Sequence, residues 1–135
     1  MSVWGKPLLI RAEFGRDIYD PSANPIEQGN ISSTSGENID SGTRLRTDGF
    51  ISVISGKQYR IDMNLARVFC YYYNDDYSYV VGSNSGWVDV PAVVTVPEGK
   101  AFMRIVLAKS AGGVRPGEVN YLIIQPAQNS MFFMS

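Results

Sequence analysis

Residues 93–107 read Val93-Val94-Thr95-Val96-Pro97-Glu98-Gly99-Lys100-Ala101-Phe102-Met103-Arg104-Ile105-Val106-Leu107, and this stretch decides the fold class. A β-branched run stops at Pro-Glu-Gly-Lys, which has turn chemistry, and Ala101, Met103, Ile105 and Leu107 then alternate with Phe102, Arg104 and Val106. A period of two puts these sets on opposite faces of an extended strand. Outward in both directions the pattern repeats. Tyr59, Ile61 and Met63 alternate with Arg60 and Asp62, and a Ser55-Gly56-Lys57 turn separates them from residues 50–53, which predicts a hairpin. Residues 68–73 are β-branched and aromatic, Asn74-Asp75-Asp76 supplies a turn, and residues 77–81 resume the extended pattern as a second hairpin. Ala111-Gly112-Gly113 opens a loop, and residues 121–124 read as a strand that ends before Pro126. The polar residues 17–42 suit a loop over one sheet end, with a short strand within residues 29–33. No segment holds a helical stripe over three turns. Short strands between closely spaced turns predict an all-β chain, a jelly-roll β-sandwich of two antiparallel sheets.

A chain of 135 residues suits a single domain, 1–135, with a core of its own. Hydrophobic residues at 44% and charged residues at 19% are globular values. Twelve basic against thirteen acidic side chains leave a net charge of −1, without the cationic excess that drives counterion release, so no nucleic-acid partner is expected. Histidine is absent, which excludes Ser-His-Asp and Cys-His catalysis and imidazole metal sites. The scattered glutamates give no glycoside-hydrolase constellation, and no phosphate loop follows a strand. A non-enzymatic protein without a cofactor is expected. Asp75 and Asp76 could ligate Ca²⁺ with loop carbonyls, but their spacing fits no EF-hand loop and an Asn-Asp-Asp turn needs no metal. Cys70, the one cysteine, can form no internal disulfide; it shares a parity with Val68 and Tyr72 and reads as a small buried hydrophobe. The apolar run Leu8, Leu9 and Ile10 ends at Arg11, too short for a signal or a membrane span, so folding in a cytoplasm without membrane contact is expected.

Three blocks, taken in order, carry a resemblance. They are Ser41-Gly-Thr-Arg44-Leu-Arg46-Thr47-Asp48-Gly49-Phe50-Ile-Ser-Val53 with Gly56-Lys57-Gln58-Tyr59; Val68-Phe-Cys-Tyr71-Tyr72-Tyr73-Asn-Asp75-Asp76; and Val96-Pro97-Glu98-Gly99-Lys100-Ala101-Phe-Met-Arg104-Ile105. Over roughly residues 41–124 the chain resembles the carbohydrate-binding-module-like β-sandwich domains of bacteriophage tail, baseplate and other virion proteins. Their usual pattern is an Arg-x-Arg-Thr strand, a Gly-x-x-Tyr hairpin, a Tyr-Asp turn and a Pro-Glu-x-Ala-x-x-Arg strand. Gly99-Lys100 stands here where that family more often has a single Asn. The resemblance implies a jelly-roll that folds in the host cytoplasm, joins a virion, and contacts host-surface polysaccharide. The alternative it implies is a structural decoration or adaptor without sugar binding. A module detached from a secreted bacterial glycosidase is the third class, and a start at Met1 without a signal peptide favours the virion.

Sugar recognition needs a flat aromatic face against the pyranose ring and planar donors for its hydroxyls. If Val68, Cys70 and Tyr72 face the core, Phe69, Tyr71 and Tyr73 share the opposite face, which makes Tyr71 and Tyr73 candidates; packing under a loop is the structural alternative. Arg104 lies opposite in parity to Met103 and Ile105, on the solvent or groove side, where it grips a hydroxyl pair or else pairs with a carboxylate or stacks on a Tyr. Arg44 and Arg46 share that side, with Leu45 inward. Trp87 follows the flexible polar loop Gly82-Ser83-Asn84-Ser85-Gly86 and is the foremost stacking candidate, with burial as a lid over the sandwich end as its alternative.

The chain ends are apolar. Met131, Phe132 and Phe133 follow Pro126, and Trp4 and Leu8 stand near the other terminus, so segments 1–12 and 126–135 read as docking or oligomerisation elements. The partner expected there is another virion protein or a second copy of the chain; closure of one sandwich edge within the subunit is the alternative.

Overall fold

The computed structural model describes the backbone of residues 9–132 and the side chains of residues 15–127. Among these, the strands are β1 (Leu9–Phe14), β2 (Ile26–Gln28), β3 (Asn30–Ile31), β4 (Asn38–Ile39), β5 (Leu45–Thr47), β6 (Ile51–Ser52), β7 (Gln58–Met63), β8 (Arg67–Tyr73), β9 (Tyr79–Asp89), β10 (Ala92–Thr95), β11 (Phe102–Ala108) and β12 (Leu122–Phe132). One sheet has the order β1-β12-β7-β10, and the other β2-β5-β11-β8-β9 with β6 also on β11. All pairings are antiparallel. Tyr59, Ile61 and Met63 of β7 and Leu122 and Ile124 of β12 meet Val68, Cys70 and Tyr72 of β8 and Met103, Ile105 and Leu107 of β11 in one buried cluster. The alternation in the sequence is therefore the core of an all-β protein, packed between its two larger sheets. Each buried aliphatic side chain in it contributes about 1.5–3 kcal/mol.

Residues 50–53 and 59–63 do not form the expected hairpin. β6 pairs with β11 in one sheet, whereas β7 pairs with β10 and β12 in the other. The turn between them crosses the core, with Gly56 at φ +77° donating to the Val96 carbonyl at 2.8 Å and Val96 donating to the Lys57 carbonyl at 2.9 Å. The second hairpin is β8–β9, with Tyr73 opposite Tyr79.

Gly82-Ser83-Asn84-Ser85-Gly86 is not a flexible loop but the middle of β9. Two register shifts against β8 absorb it; Gly82 and Gly86 take φ of +87° and +67°, and Ser85 Oγ accepts the Cys70 N–H at 2.9 Å. Nor does the last strand stop at Pro126. The Pro126 carbonyl accepts the Gly15 N–H at 2.7 Å, and since a strand residue's N–H and C=O point the same way, the missing donor faces the end of β1 and leaves the β7 ladder intact. Residues 17–42 do not cap a sheet end: β2 joins the edge of the second sheet beside β5, and β3 and β4 pair as an arm across its outer face. The short strand expected within residues 29–33 is β3.

At the chain ends the backbones of Leu9 and Ile10 pair with those of Phe132 and Met131. Trp4, Leu8 and Phe133 lie outside the described residues.

Candidate functional site

The register of the second sheet lays out its outer face in rows. Val106 stands between Arg46 and Phe69, and Phe69 is opposite Trp87. In the next rows Arg104 is opposite Tyr71 and Phe102 is opposite Tyr73. Same-parity residues share a face, so the aromatic and arginine sets read in the sequence meet on one surface.

The β3–β4 arm covers the middle of that surface. Ile31 is buried there with Tyr71, Tyr73 and Val106. Tyr71 donates its hydroxyl to the Ile31 carbonyl at 2.8 Å, Tyr73 to the Gly36 carbonyl at 2.7 Å, and Tyr79 to the Ser33 carbonyl at 3.1 Å. Arg46 Nη1 donates to the carbonyls of Asn30 and Ile39, each at 3.0 Å, while its Nε meets Glu27 at 2.7 Å. Tyr71, Tyr73 and Arg46 therefore hold the arm. Burial pushes the phenols of Tyr71 and Tyr73 up to about 12. The Cys70 thiol on the core side is also pushed up to about 12 by burial, which keeps it protonated and unreactive.

Two clefts stay open, each with the arm as one wall. The larger, about 590 Å³, is lined by Phe50, Tyr73, Tyr77, Tyr79 and Arg104 with Glu37 and Asn38 from the arm. The Phe50 and Tyr77 rings lie 4.8 Å apart, and Tyr77 stacks on Phe102 at 4.6 Å. They remain 37% and 55% exposed, although an aromatic pair of this kind ordinarily closes over a core. Tyr77 also has φ +70°, a conformation that a bulky residue adopts at a cost of about 1–2 kcal/mol. The turn holds it there: Tyr77 N–H donates to Asn74 O at 2.9 Å, Ser78 N–H to Asp76 Oδ1 at 3.0 Å, and Lys100 Nζ to Asn74 Oδ1 at 2.7 Å. Those Ser78 hydrogen bonds hold the Asp76 carboxyl below its ordinary range, so this oxygen closes a turn.

Arg104 forms the floor of that cleft and is 6% exposed. Nη2 donates to the Thr47 carbonyl at 2.9 Å and the guanidinium lies 5.9 Å from the Phe50 ring centroid, but the buried Nε–H has no partner. The arginine stays on the side its parity predicts, covered by the arm and the aromatic rings.

The smaller cleft, about 310 Å³, is lined by Arg44, Phe69, Tyr71 and Trp87 with Asn30 and Ser32 of the arm. Trp87 is 37% exposed and neither a lid nor a free loop residue. Its ring meets Phe69 edge-on at 5.3 Å, and the guanidiniums of Arg44 and Arg67 lie 5.0 and 4.8 Å from its centroid. Of the sequence candidates, Arg104 and Tyr73 line the first cleft, and Trp87, Arg44 and Tyr71 the second; Arg46 lines neither. Phe50, Tyr77 and Arg67 were not singled out by sequence. The parity that marks Phe69 marks Arg67 too, and Phe50 alternates with inward Ile51, so both had a signal; Tyr77 had none beyond its place after a turn.

Among the described residues no three Cys, Asp or Glu side chains gather in a way that could hold a metal ion. Family models, curated proteins and solved structures give no match to the chain.

Proposed function

We propose that the chain is a non-enzymatic jelly-roll module of a bacteriophage virion that binds host-surface polysaccharide in the two clefts beside the β3–β4 arm. The observation that carries this reading is the exposed Phe50–Tyr77 pair above the buried Arg104 guanidinium. Pyranose rings present an apolar C–H face and a rim of hydroxyls; the rings meet the first, and Arg104, Glu37 and Asn38 supply donors and acceptors for the second. Backbone strain at Tyr77 supports the same reading, because strained residues concentrate at binding sites. Placement in a virion, on a tail, baseplate or capsid, rests on the resemblance of residues 41–124, and the apolar chain ends are the proposed contact to other virion proteins or to a second copy.

A second reading, a structural decoration without sugar binding, is favoured by one observation: Tyr71, Tyr73 and Arg46 are already engaged by the arm. Pull-down on insoluble bacterial cell-wall preparations with wild type and Tyr77→Asn separates the two. Sugar binding in the cleft predicts retention of the wild type and loss in the variant; retention of neither protein supports decoration, and equal retention of both would place the binding away from the Phe50–Tyr77 pair.

A further inference from the structure

We propose that these clefts take an acidic glycan, with one anionic group held at Arg104 and another at the Arg44–Arg67 pair beside Trp87. This deepens the glycan-binding reading and rests on it.

The chain as a whole is close to neutral, so any attraction for an anion is local to these clefts. Among the described residues, Arg46 is in an ion pair with Glu27, whereas Arg44, Arg67 and Arg104 are in none. Arg104 is the sharpest case. Its guanidinium is withdrawn from water, its hydrogen bonds go to the neutral Thr47 carbonyl and the neutral Tyr73 phenol, its ring contact is to Phe50, and its Nε–H is unpaired. A buried charge with only neutral partners is costly, and an anion entering the adjoining cleft offsets that cost where a neutral hydroxyl offsets less. Glu37 lies on the exposed arm in the same cleft and opposes an anion there, but unlike Arg104 it is solvated.

The second cleft repeats the chemistry. Arg67 is opposite Ala108 on one side and Asp89 on the other, without an ion pair to that carboxylate, and Arg44 precedes Leu45, which is opposite Leu107; the two arginines thus approach Trp87 from strands on either side of β11. Two cations held against one ring repel each other, and a shared anion relieves the repulsion. Arg67 Nε is also buried without a partner. Trp87 lies in the row of Val106, two residues along β11 from Arg104 and two strands across, so the two sites are roughly 12 Å apart at about 3.4 Å per residue and about 4.8 Å per strand. That spacing suits a chain carrying repeated charges, and a single small anion cannot span it.

The test is an array of matched oligosaccharides and bacterial surface polysaccharides: uronate-containing members with their carboxyl-reduced forms, and sulfated members with their desulfated forms, read at roughly 50 and 200 mM salt. Acidic members should be retained at least about tenfold more tightly than their neutral counterparts, with the difference shrinking at the higher salt. Arg44→Met with Arg67→Met should lower acidic binding about tenfold and leave the melting temperature near wild type. Arg104→Met should do the same; because that side chain is buried, a loss of folding there leaves the paired surface variant to decide. Equal retention of acidic and neutral members overturns the acidic preference while glycan binding stands. No retention of any member overturns both readings, and acidic binding indifferent to the Arg44 and Arg67 substitutions overturns the assigned site.

Discussion

The hydroxyl of Tyr73 on β8 donates to the carbonyl of Gly36 at 2.7 Å, and Gly36 sits at φ +71° where a Cβ would run into the ring of Tyr79. The sheet thus grips the arm at a point only glycine can occupy, and the arm forms one wall of both clefts.

Tyr73→Phe should cost about 1–2 kcal/mol, because it removes the hydrogen bond and leaves a buried carbonyl without its donor. Urea denaturation checks the magnitude. Hydrogen exchange in residues 30–39 should quicken more than in β8 or β11, since the loss is local to the arm.

Gly36→Ala should be worse than Tyr73→Phe. It adds a methyl group against Tyr79 at a backbone angle that L-residues disfavour, so a loss of about 2 kcal/mol or more is expected by thermal melting.

Alkaline pH should release the arm. Unfolded phenols ionise near the ordinary value of 10.0, whereas those of Tyr71 and Tyr73 are pushed to about 12 in the fold. Between these values the unfolded chain binds fewer protons than the folded one, so stability is intact below pH 10 and falls as the pH rises through 12. Tm followed against pH, together with tyrosinate absorbance, reads the two effects side by side; a flat Tm through that window would contradict the burial of these hydroxyls.

Tyr77→Asn should leave stability nearly unchanged while weakening polysaccharide binding. Asn tolerates the positive φ, so relief of strain of about 1 kcal/mol offsets part of the lost packing on Phe50 and Phe102. Binding by cell-wall retention and Tm by calorimetry give the two halves.

Truncation after Ser130 removes the pairing of Met131 with Ile10 and of Phe132 with Leu9 and spares the rest of β12. A folded monomer is expected where the full chain forms oligomers or joins particles. Unchanged mass by light scattering together with unchanged particle incorporation would contradict a docking role for the C-terminal segment.

The inward set of each long strand was legible because alternation with solvent or core follows from the pleat: Tyr59, Ile61 and Met63, or Met103, Ile105 and Leu107, need no partner to be recognised. What each strand pairs with was not. Ser55-Gly56-Lys57 reads the same whether the chain folds back in one sheet or crosses to the other, and the choice is made by contacts to Val96, forty residues on. Gly82 to Gly86 looks like a loop because its glycines serve bulges, and Tyr71 and Tyr73 look like open platforms because the arm over them is polar and carries no periodic signal. Arg44, Arg46 and Arg104 were legible as a shared face; that Arg46 pairs with Glu27 while Arg44 and Arg104 have no carboxylate partner among the described residues is a property of three dimensions.

The most direct measurement is a ¹H–¹⁵N titration of the full chain with oligosaccharide from the polysaccharide it retains best, following the Trp87 indole N–H, the Arg104 Nε–H and the backbone of residues 74–79. Saturable shifts are expected at these groups and in the β3–β4 arm, with the Tyr71 and Tyr73 contacts to the arm preserved. Shifts confined to other surfaces, or none with any polysaccharide, would contradict glycan binding in the two clefts.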